Sequence, residues 1–274
     1  MRILWNTRCV SKGVTLVVAI LASPALVFTQ SAPPEAERRA SQLSPFTADD
    51  MLKVATGVVL DLAEDGSRVA VVVRRLIDND SVDHRRYGDP TYLPPLRGRL
   101  EIVDVKTGAK EMPFTELINV RSAAWSRDGQ RLAILVPREA ATADGFPTTA
   151  LYLWDVARRS LTEIKPSQPI AVNSSLAWTP DGSSLVIALR SAELDREART
   201  TFKTLTEGPV IVHKSSEPFL EWDLLGRSAR TRSVATLNLS TGTVRAVVPQ
   251  GRISSYQVAR DGSFMIVMED VTEK

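Results

Sequence analysis

The chain has 274 residues, 43% hydrophobic and 24% charged, which is ordinary globular usage with room for one large domain or two smaller ones. That composition excludes a disordered or collagen-like chain, and a single Cys excludes a disulfide framework and a cysteine-built zinc site. The formal net charge of +2 comes from the first residues of the chain.

The amino terminus reads as a secretory signal over residues 1–31. Arg2, Arg8 and Lys12 give a basic start without an acid, and Val14 to Phe28 is apolar except for Thr15, Ser23 and Pro24. Thr29-Gln30-Ser31 places small residues where a signal peptidase cuts, and Ser23-Pro24-Ala25 is a second candidate. An uncleaved anchor is the rival reading, but the run is shorter than the ~20 residues a bilayer needs, and Pro24 interrupts it. No Arg-Arg pair precedes the run, so the expected route is general export, to the periplasm or the extracellular space. Cys9 precedes the apolar run, where a lipid-attachment Cys would not sit, and is expected to leave with the signal. Without the three basic residues of that segment, 31 basic residues face 32 acidic ones. Such a balance gives no electrostatic reason to expect nucleic-acid or anionic-membrane binding. Membrane contact is therefore expected only through the signal segment.

Residues 32–48 read as a linker. Ala32-Pro33-Pro34 is stiff and Glu35 to Arg39 is charged. Thr47 is placed to cap a short helix whose first turn holds Asp49 and Asp50, which the helix dipole favours.

From Val54 onward one unit recurs: a strand, a turn containing Asp-Gly, then a strongly apolar strand. Residues 58–73 read VVLDLAEDGSRVAVVV, 123–136 read AAWSRDGQRLAILV, 176–189 read LAWTPDGSSLVIAL and 256–268 read YQVARDGSFMIVM. Gly accepts the positive φ of a tight hairpin, and Asp bonds its own backbone there. A strand such as Leu132 to Val136 is apolar on both faces and must be covered on both. A second hairpin follows most units: 100–110 with a Thr107-Gly108 turn, 151–164, and 235–247 with Thr241-Gly242. Two hairpins make a four-stranded antiparallel sheet, and such sheets repeated along a chain are propeller blades. A solenoid or a two-sheet sandwich is the alternative, but neither needs two hairpins per repeat.

The turn-to-turn spacings are 63, 53 and 80 residues (Asp65 to Asp128, then Asp181, then Asp261). Plain blades run ~40–50 residues, so the first and third units carry insertions, at 76–99 and 191–232. The fold class expected is all-β: a partial, open β-propeller of about three and a half four-stranded blades, preceded by a signal peptide. It fills 49–274, with blades at 54–112, 120–165 and 172–248 and the start of a fourth at 253–274. Propellers close with at least four blades, so the expectation is an arc cut before closure.

No catalytic, metal or cofactor residue is nominated. A nucleophile elbow, G-x-S-x-G, is missing; Gly226-Arg227-Ser228-Ala229-Arg230 lacks the last Gly, and Ser228 reads as a polar loop residue. His84 and His213 fall in the insertions with no nucleophile nearby and read as solvated. Asp78, Asp80 and Asp83 put Val82 and Asp83 where a calcium loop needs an oxygen ligand and a Gly, so they read as an acidic turn. There is no Gly-rich phosphate loop. Arg74-Arg75 and Arg85-Arg86 alternate with acids and read as salt-bridged. Trp125 and Trp178 hold equivalent places before their turns, which argues for blade packing. Arg85, Arg86, Tyr87, Asp89 and Tyr92 form the remaining candidate contact loop, for a ligand or a second domain.

The Asp-Gly hairpin units, the step Leu153-Trp154-Asp155-Val156 and the order of units resemble the propeller of secreted prolyl-oligopeptidase-type serine peptidases, the dipeptidyl-peptidase and acylaminoacyl-peptidase relatives. The resemblance covers about 48–274 and is closest from Gly208 to Lys274, above all in GRISSYQVARDGSFMIVMEDVTEK at 251–274. It implies an α/β-hydrolase domain, carrying the Ser, Asp and His, carboxyl-terminal to this propeller, and a peptide substrate that the propeller selects. None of the triad positions lies in this chain, so alone it is expected to be non-catalytic. The adjacent Glu-Glu pair by which the dipeptidyl branch holds a substrate amino terminus is absent, so that specificity does not carry over. TolB-like propellers share the Asp-Gly unit, and a periplasmic interaction scaffold is the alternative. An enzyme acting through its own central channel would need clustered His or carboxylates near the axis.

Overall fold

The computed structural model describes residues 45–80, 96–138, 148–206, 215–216 and 221–272. The expected signal segment and most of the expected linker lie outside these residues. Helix α1 (Ala48–Lys53) forms where the sequence places its cap. The Asp50 N–H donates to Thr47 Oγ1 at 3.3 Å, and the Thr47 N–H donates to Asp50 Oδ2 at 3.0 Å. This reciprocal capping box satisfies two backbone donors that a free helix start leaves open.

The first sheet runs β1 (Ala55–Leu62), β2 (Arg68–Arg75), β3 (Arg99–Asp104), β4 (Lys110–Glu111), each antiparallel to the next. The second runs β5 (Ser122–Trp125), β6 (Arg131–Arg138), β7 (Thr148–Asp155), β8 (Ser160–Ile164). The third runs β9 (Ala177–Trp178), β10 (Ser184–Leu189), β11 (Thr231–Asn238) and the first half of β12 (Val244–Val258). The second half of β12 pairs with β13 (Met265–Glu269), so one long strand is the outer strand of the third unit and the inner strand of the fourth. In all four units an Asp-Gly turn joins the first strand to the second, and each Gly lies at positive φ, 65–72°.

The core excludes a two-layer sandwich, because it is divided into three parts in series. Val72, Leu100 and Ile102 of the first sheet meet Trp125, Leu132, Ile134 and Trp154 of the second. Ala133, Leu135 and Leu151 on the other face of the second sheet meet Leu185, Ile187 and Leu237 of the third. Val186, Ala188 and Val234 on the third sheet's other face meet Ile253 and Tyr256 of the fourth unit. Side chains alternate faces along a strand, so an apolar run such as Leu132 to Val136 feeds two cores at once. Each fully buried Leu or Ile contributes about 1.5–3 kcal/mol. Inner strand β1 packs beside β5, and β5 beside β9. The described residues thus form a partial all-β propeller: three four-stranded blades and the inner hairpin of a fourth.

The connections sort by end. The tight turns, first to second strand and third to fourth, all lie at one end of the blades. The second strands end and the third strands begin, at Arg75 and Arg99, Arg138 and Thr148, and Leu189 and Thr231, all at the opposite end, the long-connection end. The first of these long intervals begins with a 3-10 turn, Leu76–Asn79, and Asn79 closes its base by bonding the Arg97 N–H at 2.7 Å and carbonyl at 3.1 Å. The third carries two helices, α2 (Ala192–Thr206) and α3 (Glu221–Arg230), which pack on each other. Ser228 therefore stands in a helix rather than a loop: nine of the ten residues from Glu221 to Arg230 tolerate a helix, and Gly226 alone does not end it.

Candidate functional site

The four Asp-Gly turns lie close together at the tight end. A Cβ on Gly129 would stand 3.7 Å from Ala63 Cβ, so the second turn rests on the first. Arg131 reaches across to the third turn, donating to the Gly182 carbonyl at 2.7 Å, with its guanidinium 4.9 Å from the centre of the Trp178 ring. Gly262 of the fourth turn sits so near Pro180 of the third that a Cβ would approach its Cγ to 2.7 Å. Arg260 of the fourth turn pairs with Glu64 of the first, which also lies 3.9 Å from Arg127 of the second. Between the second and third turns is an open cleft of about 270 Å³ lined by Ser126, Arg127, Asp128, Arg131, Pro180, Asp181 and Gly182.

The turn carboxylates are held by their own turns. Asp181 accepts from the Thr179 hydroxyl at 2.6 Å, the Ser183 hydroxyl at 2.7 Å and the Ser183 N–H at 3.1 Å. Those donors pull its carboxyl down to about 2. Asp65, Asp128 and Asp261 are lowered in the same way, chiefly by the side chains of Ser67, Ser126 and Ser263 respectively. Groups fixed as anions and bonded locally are turn supports, unsuited to moving a proton near neutral pH. The cleft combines the guanidiniums of Arg127 and Arg131 with the carboxylates of Asp128 and Asp181, and Arg131, Asp128 and Asp181 are already bonded to the turns themselves.

The long-connection end holds a buried cation. Arg232, 3% exposed, donates from Nε to the Ile253 carbonyl at 2.8 Å and from its terminal nitrogens to Ser254 O at 2.7 Å and to Asn173 O and Oδ1 at 3.0 and 2.7 Å. All four acceptors are neutral oxygens. Burial lowers its pKa from the ordinary guanidinium value, partly opposed by Tyr256. Tyr256 bonds the Ser175 carbonyl at 2.6 Å, and burial pushes its phenol up to about 12. Further out, Arg252 Nε holds the Asp270 carbonyl at 2.7 Å, Arg227 the Thr272 carbonyl at 2.7 Å, and Arg230 the Asp270 carboxylate at 3.3 Å. Helix α3 of the third unit is thereby tied to the exit of the fourth.

The sequence candidates fall as follows. Trp125 is buried in the first core, and Trp178 Nε1 donates to the Ala124 carbonyl at 2.8 Å, so both are blade-packing residues. Asp78 pairs with Arg75 at 2.6 Å, and the side chain of Arg74 runs over Gly98. His84, His213, Asp83, Arg85, Arg86, Tyr87, Asp89 and Tyr92 lie outside the described residues. Among the described residues no group of three or more His, Cys, Asp and Glu could hold a metal ion, and no helix is long and apolar enough to cross a membrane. Sequence reasoning missed Glu64, Arg131, Arg232 and Arg260. Arg232 carried a usable signal: it stands two residues before Val234 and so on the face that this strand buries.

No protein-family model matches the chain, and no curated protein matches it. Solved structures do. TolB from Acinetobacter baumannii is 12% identical, with 80% of this chain and 39% of that one covered and a TM-score of 0.45. A structure from a study of two prolyl endopeptidases is 13% identical over 85% of this chain and 29% of that one, TM-score 0.47. The acylaminoacyl peptidase of Pyrococcus horikoshii is 14% identical over 70% and 25%, TM-score 0.37. The chain spans well under half of each. Values this low assign no activity, and the fold stands on its own strand pairing.

Proposed function

We propose that this chain is the propeller portion of an exported prolyl-oligopeptidase-type serine peptidase, selecting peptide substrates for an α/β-hydrolase domain encoded with it. The observation that carries the reading is the sorting of connections. The strand ends that bound the three long intervals all lie at one end of the blades, which fits a rigid scaffold presenting loops to a ligand or a second domain. In this role the blades contribute no nucleophile; they restrict which peptides reach one.

The test is labelling of the whole gene product with a fluorophosphonate, which reacts with activated serines. Labelling of the whole product but not of residues 32–274 supports the peptidase reading. A whole product that takes no label, and that co-purifies with envelope proteins, favours the TolB-like scaffold instead.

A further inference from the structure

We propose that the rim of the first core at the long-connection end, where the first and second units meet, binds a carboxylate carried by a peptide, with Arg74 as its principal contact. The position follows from strand parity. Val72 of β2, Ala123 of β5 and Val136 of β6 all face the first core. The Arg121 N–H donates to the Leu135 carbonyl at 2.9 Å, which extends the pairing of β5 and β6 by one residue. Side chains two residues apart share a face, so Arg74, Arg121 and Arg138 continue those faces where the core ends. On the neighbouring strand the same face is vacant at Gly98, two residues before Leu100, and Arg74 fills it: a Cβ on Gly98 would stand 2.6 Å from Arg74 Cγ.

Three guanidiniums thus share one rim. Arg138 is satisfied by Glu163 at 2.9 Å. Among the described residues no carboxylate pairs with Arg74: burial alone shifts its pKa, downward, whereas Asp78 and Glu163 raise those of Arg75 and Arg138. The Arg74 Nε is covered and bonds nothing. Beside it, Gly98 pairs with Ile118, and the next residue, Asn119, is 3% exposed with both atoms of its amide covered and unbonded. Covered polar atoms are nearly always bonded, so these three atoms mark a place that a group from outside the chain completes. Arg74 offers the fork that a carboxylate takes, and Asn119 the donor and acceptor that a peptide group takes. That the carrier is a peptide rests on the peptidase reading; the demand for a carboxylate rests on the rim.

The test is fluorescence anisotropy of short dye-labelled peptides with the full chain, which reads binding without turnover and so stands apart from fluorophosphonate labelling. One peptide carries Glu side chains and an amidated end, one has uncharged side chains and a free carboxyl end, and one is uncharged and amidated. A carboxylate peptide is expected to bind about tenfold tighter than the uncharged amide, and which of the two does so tells whether a side chain or a chain end is recognised. Arg74→Gln should abolish that preference. Arg74→Lys, which disturbs packing less, should keep part of it, since an ammonium holds the charge without the fork. Arg75→Gln, next in sequence but paired with Asp78, should leave it intact. Melting curves show that each variant is folded. Equal affinities for the three peptides overturn the inference. So does a preference that survives whole in Arg74→Gln, or one that Arg75→Gln removes as fully as Arg74→Gln.

Discussion

The two ends of the blades solve the same problem, holding neighbouring units together, by opposite means. At the tight end the polar groups are exposed and mostly bond within their own turn: Asp181 to Thr179 and Ser183, Asp261 to Ser263. At the long-connection end one buried guanidinium, Arg232, bonds two separate stretches, Ile253-Ser254 across the unit boundary and Asn173 within its own unit. A bond within a turn fixes local shape and is replaceable by water. A buried bond between units fixes their relation, and nothing replaces it. The tight end should therefore tolerate substitution, and the opposite end should not.

The sharpest attempt to break that contrast is Arg232→Met. It keeps most of the volume but leaves the carbonyls of Ile253, Ser254 and Asn173 without their donor. The expected loss is about 2–4 kcal/mol, read by urea denaturation. Arg232→Lys should recover only part of it, since an ammonium cannot reproduce the fork that reaches three sites. A loss below about 0.5 kcal/mol for Arg232→Met would place the cohesion of the third and fourth units in the apolar core alone.

The different legibility of the two ends has the same origin. The turns were readable because their chemistry is local: Gly for positive φ, Asp to bond the next residues, an apolar strand following. The same locality gave the Thr47 cap and the two-faced burial of Leu132 to Val136. The seams were unreadable because Arg232 and Asn173 are separated by 59 positions, and Glu64 and Arg260 by 196. No periodicity links such pairs. The helices of the 191–232 insertion are a different case, since turn-to-turn spacing reveals excess length over a plain blade but not its conformation. Trp125 and Trp178 fall between these cases, since repetition gave their packing role but not the bond from Trp178 to Ala124.

A smaller effect separates two turns that look identical in sequence. Gly66 and Gly262 both need positive φ, 70° and 72°. A Cβ on Gly66 meets nothing within 4 Å, whereas on Gly262 it would press on Pro180 at 2.7 Å. Gly66→Ala should cost about 1 kcal/mol, the penalty of placing a side chain in left-handed backbone. Gly262→Ala should cost more, because Pro180 or the fourth turn must also move. Equal losses in thermal unfolding would mean that the third and fourth turns are not packed together.

The smallest expected effect concerns acid. The Asp181 carboxyl is pulled down to about 2 in the folded chain by the Thr179 and Ser183 donors, against 3.8 for an unperturbed Asp. A depressed folded value means that the ionised form favours folding: the contribution is complete above about pH 4 and is lost as pH falls toward 2. Asp181→Asn removes the ionised acceptor. Its melting temperature should therefore lie slightly below that of the parent chain at pH 5, and the two curves should converge as pH falls below 2, where the parent's Asp181 is mostly protonated. The group is fully solvated, so the gap at pH 5 should also shrink in salt. A constant offset across the whole pH range would show that Asp181 acts through the shape of its side chain rather than its charge, and the tight end would then owe its tolerance to sterics instead of solvated electrostatics.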